Sequence, residues 1–119
     1  MNVQQEHDTC VFCAIQRGDV PSDTVYESKD VVAFRDVNAQ APVHVLVVPR
    51  EHIVSVNNLS DDPAMLGRLL DVCVDVARAE GLAHAGYRIV TNHGRDGAQS
   101  VHHVHFHVLG GRGLDGKLG

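Results

Sequence analysis

Apolar and polar positions alternate strictly through "HHVHFHVLGG", residues 102–111. His103, His105 and His107 fall on one phase, Val104, Phe106 and Val108 on the other. A period of two belongs to a β-strand, whose successive side chains point to opposite faces. Related patterns bounded by turn residues predict strands over "TVYES" and "VVAFRD", joined by a turn at Ser28-Lys29-Asp30, and over "YRIVTN". "VHVLVVP" is a near-continuous apolar run with His44 inside it, the pattern of a central strand.

In "MLGRLLDVCVDVA" the period becomes helical, with Leu66, Leu69, Leu70, Cys73 and Val76 recurring on one stripe. Asp62 suits the N-cap, Pro63 the first helical position and Gly81 the residue past the last turn. A short helix is expected from Cys10 to about Gly18, followed by a turn at Pro21. "NAQAP" and "HGRDGAQS" read as loops, and "GRGLDGKLG" is too glycine-rich to assign. The expected fold class is α+β: an antiparallel sheet of about five strands, one long helix and one short N-terminal helix. Residues 1–9 are expected to form a flexible tail and 10–119 a single domain.

The composition narrows the function classes. A chain of 119 residues with 44% hydrophobic content can bury a sizeable core. Its net charge of −5 and lack of a Lys/Arg run argue against nucleic acid as a partner. The N-terminus "MNVQQEHDTC" lacks an apolar signal-peptide core, and no stretch is long enough to span a bilayer. The expectation is a soluble, cytoplasmic protein. Its three cysteines are no disulfide framework: Cys73 lies on the apolar stripe of the long helix, a core position. Cys10 and Cys13 form a Cys-x-x-Cys pair, a spacing that suggests zinc or redox chemistry.

Four of the nine histidines fall within residues 102–107. A half-buried strand requires no histidine, so a metal-binding strand, a solvated His-rich face and a phosphate site are the readings to weigh. The preceding loop, "NHGRDGAQS", favours phosphate. Its glycines let backbone N–H groups approach an anion, and Asn92, Gln99 and Ser100 are neutral donors. It is not a P-loop, since no Lys-Ser/Thr follows Gly97.

At this point the residues resemble a known family. "HVHFHVL" fits the signature of the histidine triad (HIT) superfamily, and "DGAQSVHHVHFHVLGGR" looks like its Hint-type nucleotide-binding phosphoramidases. The likeness extends through "AFRDVNAQAPVHVLVVPREHI" and covers about Cys10 to Arg112. The resemblance implies a homodimer with a continuous sheet across its interface. It implies an enzyme that cleaves the P–N bond of purine nucleoside 5′-phosphoramidates, or related adenylates, through a nucleotidyl-histidine. His105 would be the nucleophile, and His107 would face the non-bridging oxygens. Ser100 and Gln99 would hold the phosphate, with Ser100 also protonating the leaving nitrogen. Asn92 would be a phosphate contact or supporting residue. Asp36 would accept the ribose hydroxyls, and Phe12, Ile15, Phe34 and Val37 would line the base pocket. His7, His52, His84, His93 and His102 receive no role.

In bacterial relatives with the Cys-x-x-Cys pair, and in the related galactose-1-phosphate uridylyltransferases, zinc is held by two cysteines and two histidines. Carried over, the ligands are Cys10, Cys13, His44 and His103, a closed and therefore structural site. Two alternatives remain open: a dinucleoside polyphosphate hydrolase or phosphorylase of the same superfamily, and a zinc-stabilised nucleotide-binding or interaction module with little turnover.

Overall fold

A computed structural model of the protein describes residues 9–119. Five antiparallel strands form one open sheet: β1 (Thr24–Glu27), β2 (Val31–Arg35), β3 (Val43–Pro49), β4 (Tyr87–Thr91) and β5 (Phe106–Gly110). Their order is β1-β2-β3-β5-β4, so β3 is central and β4 an edge. The expected tail, residues 1–9, lies outside the described residues except for Thr9. Among the described residues no helix is long and apolar enough to cross a membrane.

Among the described residues, each face of the sheet carries one α-helix. The long helix, α2 (Pro63–Ala79), starts where its capping signals place it: the Asp62 carboxylate accepts the Met65 N–H and Pro63 opens the first turn. Leu69, Val72, Cys73, Val76 and Ala77 are buried against Val45, Val47, Val104, Phe106 and Val108. Leu70, expected on that stripe, faces outward at 39% exposure. Burial in this layer pushes the Cys73 thiol up to about 12, leaving it inert as a core residue.

The short helix, α1 (Val11–Arg17), packs on the opposite face, where Phe12 and Cys13 meet Val32, Phe34, Leu46 and Val48. It ends at Gly18, whose φ of +82° is the left-handed cap conformation that glycine adopts most easily. With a helix on each side, β3 is buried on both faces, the physical reason for its nearly unbroken apolar run.

Two segments depart from expectation. The last strand begins at Phe106, not at His102. Its ladder with β3 starts at the Val47–Phe106 pair, because β3 ends two residues later at Pro49, which has no N–H to give. Upstream, the Val104 N–H bonds to the Ile53 carbonyl instead. A one-turn 3-10 helix over Val56–Leu59 was also unforeseen. Four residues show no period, and its determinants are a Ser55–Asn58 capping box and the burial of Leu59.

Candidate active site and metal cluster

The alternation seen in the sequence survives where the ladder does not. Val104, Phe106 and Val108 turn toward α2, while His103, His105 and His107 turn toward α1. Phe12 of α1 lies over this row, its ring centroid 5.8 Å from that of His103 and 5.1 Å from that of His105. The histidine face is therefore enclosed, with His103 0% and His105 4% exposed.

Hydrogen bonds assign the protons on each ring. His105 Nδ1 lies 2.8 Å from the carbonyl of His103, an acceptor, so Nδ1 carries the proton and Nε2 keeps its lone pair. Burial lowers the pKa of His105, opposed by the His103 carbonyl and the charge of Asp36, and holds the ring neutral. His44 Nδ1 accepts the Gln40 N–H at 3.1 Å, so its Nε2 is protonated and donates to His107 Nδ1 at 2.9 Å. That bond leaves His107 Nε2 as a donor. Burial, reinforced by His105 and His44, pushes the His107 pKa down to about 4. His44 is lowered too, by burial, with Asp36 opposing. Neighbouring rings thus present one nucleophilic nitrogen and one fixed N–H donor.

A cleft of about 450 Å³ opens beside them, bounded by Phe12, Ile15, Phe34, Asp36 and Val37. Ser100, His105 and His107 complete its wall. The Asp36 carboxylate accepts the Asn38 N–H at 2.9 Å and sits 3.4 Å from His44 Nε2. The remaining nucleotide candidates lie elsewhere. Asn92 donates to the Gly97 carbonyl and lines an adjoining cavity. The Gln99 amide is consumed by backbone groups: its oxygen accepts the Gly94 N–H, and its nitrogen donates to the Val54 and Val101 carbonyls. Gln99 thus braces the loop and has no amide hydrogen left for a phosphate.

That loop is tightly constrained. A Cβ on Gly97 would lie 2.3 Å from the His93 carbonyl oxygen, so only glycine fits there. Ala98 is held at φ +60°, a left-handed conformation that costs a non-glycine residue about 1–2 kcal/mol. His93, assigned no role in the sequence, bridges Ser55 Oγ at 2.8 Å and Asn57 Nδ2 at 3.0 Å, tying the loop to the 3-10 turn.

At the other end of the histidine row, Cys10, Cys13, His52 and His103 bring four ligand atoms within 4.8 Å of one another. His44, expected as the fourth ligand, is not among them. It belongs to a separate group with Asp36 and His107. The reason is position along β3. His44 lies near one end of that strand and pairs with Leu109, whereas His103 reaches the other end and donates from Nε2 to the Pro49 carbonyl at 2.8 Å. Five residue steps, from His44 to Pro49, separate those positions, about 17 Å at 3.3 Å per step. His52, just past Pro49, stands where His44 was expected. Its signal was its place three residues after the strand-ending proline.

The donor set fits a metal ion. Cys10 Sγ and Cys13 Sγ stand 3.4 and 3.6 Å from His103 Nδ1, and Cys13 Sγ stands 3.4 Å from His52 Nδ1. A tetrahedron built from typical Zn–S and Zn–N bonds has S···N edges of about 3.6 Å. The His103 Nε2–H bond to the Pro49 carbonyl leaves Nδ1 as the lone pair among the sulfurs, the usual support of a ligating histidine. Burial, with the neighbouring Cys10, pushes the Cys13 thiol up to about 12. A dication in the cluster would reverse that penalty by stabilising thiolates.

The chain is similar to known proteins over most of its length. Residues 17–114 match the family model described as HIT domain. The chain is 45% identical over 109 residues to a purine nucleoside phosphoramidase of Escherichia coli (strain K12), covering 91% of this chain and 92% of that relative. A HIT family hydrolase from Clostridium thermocellum superimposes with a TM-score of 0.89 at 39% identity, covering 93% of this chain and 97% of that one. One from Legionella pneumophila gives 0.87 at 42% identity, covering 91% and 97%.

Proposed function

The chain belongs to the HIT domain family, and from that premise we propose that it hydrolyses the P–N bond of purine nucleoside 5′-phosphoramidates. One observation carries the reading: in a cleft of nucleotide size, His105 is neutral, with Nδ1–H held by the His103 carbonyl and Nε2 left as a lone pair. Nε2 attacks phosphorus and the P–N bond breaks. Its electron pair goes to nitrogen, which takes a proton with the help of the Ser100 hydroxyl and leaves as the amine. Water then attacks the nucleotidyl-histidine, releasing the nucleoside monophosphate and the free imidazole. His107 Nε2–H offsets the charge that develops on the non-bridging oxygens. The base lies against Phe12, Ile15, Phe34 and Val37, and Asp36 accepts the ribose hydroxyls.

In this reading Cys10, Cys13, His52 and His103 hold a zinc ion. Four protein ligands close the tetrahedron, so the ion ties α1 and the Pro49 end of β3 to the histidine row and is structural. The protein works as a homodimer, because β4 leaves one edge of the sheet unpaired.

The test is turnover of an adenosine 5′-phosphoramidate by wild type and His105→Ala. Wild type should release amine and carry an acid-sensitive nucleotide label during turnover. His105→Ala should bind nucleotide but neither turn over nor label. Near-normal turnover by His105→Ala, or faster cleavage of a dinucleoside tetraphosphate offered in parallel to wild type, would overturn the reading.

A further inference from the structure

A second cavity, of about 520 Å³, adjoins the nucleotide cleft. Gln40, Ser100 and His107 line both, whereas His105 and Phe12 line only the first. The second cavity therefore touches the phosphate end of the site without touching the attacking nitrogen. In an in-line displacement the leaving group departs on the side away from the nucleophile, and this cavity is where a departing amine would go.

Its chemistry is specific. Val90, Leu109 and Leu114 form apolar wall, and Arg88 and Arg112 supply two guanidinium groups. The chain has eight arginines. Six of them, at 17, 35, 50, 68, 78 and 95, pair with carboxylates. The two that pair with none among the described residues both line this cavity. Arg88 donates only to the Asp115 carbonyl, and Arg112 only to the carbonyls of Gly113 and Gln40. A guanidinium has five N–H donors, so each retains capacity for a planar anion. The one acidic side chain on the wall, Asp115, has one carboxylate oxygen taken by the Lys117 N–H and leaves the cavity net positive. Two unpaired guanidiniums in one cavity are unexpected in a chain of net charge −5.

We propose that this cavity receives the departing amine and that Arg88 and Arg112 select amines bearing a carboxylate, namely amino acids joined to the nucleotide through their nitrogen. The inference rests on the phosphoramidase reading and names its substrate class. As the P–N bond breaks, its electron pair goes to nitrogen, which gains a proton. The amino acid then leaves with its carboxylate still held by the arginines, while the nucleotidyl group stays on His105.

The test compares two adenosine 5′-phosphoramidates, one of alanine with its free carboxylate and one of alaninamide, nearly identical in size but neutral. Wild type should favour the alanine compound in kcat/KM by about tenfold or more, as expected for a charge-assisted, bidentate contact. That ratio should fall toward one in R88M and R112M and be partly restored in R88K and R112K. A wild-type ratio of one or less would overturn the proposal without any variant, and so would a ratio unchanged in both methionine variants. If both compounds are cleaved equally, only the carboxylate selection fails. If neither is cleaved while adenosine monophosphate still binds, the phosphoramidase reading falls and this inference falls with it.

Discussion

Replacing His52 with alanine should empty the Cys–His cluster, while replacing His44 should leave it filled. His52 Nδ1 stands 3.4 Å from Cys13 Sγ, close to the edge of a zinc tetrahedron, so its loss opens one of four corners. His44 is bonded instead to the Gln40 N–H and to His107, near the far end of β3. An ion present at a thousand times its Kd stabilises the folded state by about 4 kcal/mol. For a domain of this length that is a melting shift of about 15 °C, at roughly 4 °C per kcal/mol. Elemental analysis of protein prepared without chelator should find one zinc per chain in wild type and His44→Ala, and little in His52→Ala. Chelator should lower the melting temperature of wild type to near that of His52→Ala and leave His52→Ala almost unmoved. A full complement of zinc in His52→Ala, or its loss in His44→Ala, would refute the assignment. Absence of metal from wild type would leave the cluster a hydrogen-bonded thiol–imidazole group.

Three further outcomes are expected. The unfolded chain protonates a histidine near pH 6.5, whereas folded His107 resists until about 4; stability present above pH 6.5 is therefore lost as the pH falls toward 4, by about 1 kcal/mol at pH 4.5 after solvent screening of the part-exposed ring is discounted. Urea midpoints at pH 7.5 and 4.5 should show wild type losing that much more than His107→Asn, and equal losses would contradict the depressed pKa. Asp36→Ala should weaken purine nucleotide binding by about 1–3 kcal/mol by calorimetry, since it removes charge-assisted bonds to ribose; unchanged affinity would take Asp36 out of the ribose site. Ala98→Gly should raise stability by about 0.5–1 kcal/mol, because relief of the left-handed strain exceeds the extra entropy of glycine in the unfolded chain; a fall in melting temperature would show that the residue is not strained.

Much of what depends on neighbouring residues was legible in the sequence. The caps and apolar stripe of α2, the bounds of β3, the Gly18 stop and the two-residue alternation of the histidines all follow from local sterics and from burial of one face. The grouping of Phe12, Ile15, Phe34, Asp36, Val37, Ser100, His105 and His107 around one cleft was legible through the family resemblance. Tertiary structure decided what depends on distance across the fold. The antiparallel register that pairs Val47 with Phe106 put His103 beside Pro49 and His52, and so chose His52 over His44 for the cluster. The Gln99 amide turned inward because part-buried backbone groups, the Gly94 N–H and the Val54 and Val101 carbonyls, meet it there. The fold likewise brought Arg88 on β4 and Arg112 beyond β5 to one cavity, while every other arginine found a carboxylate. A one-dimensional pattern states which face a side chain takes, but not which distant side chain meets it there, because strand order and register are set by how the whole core packs.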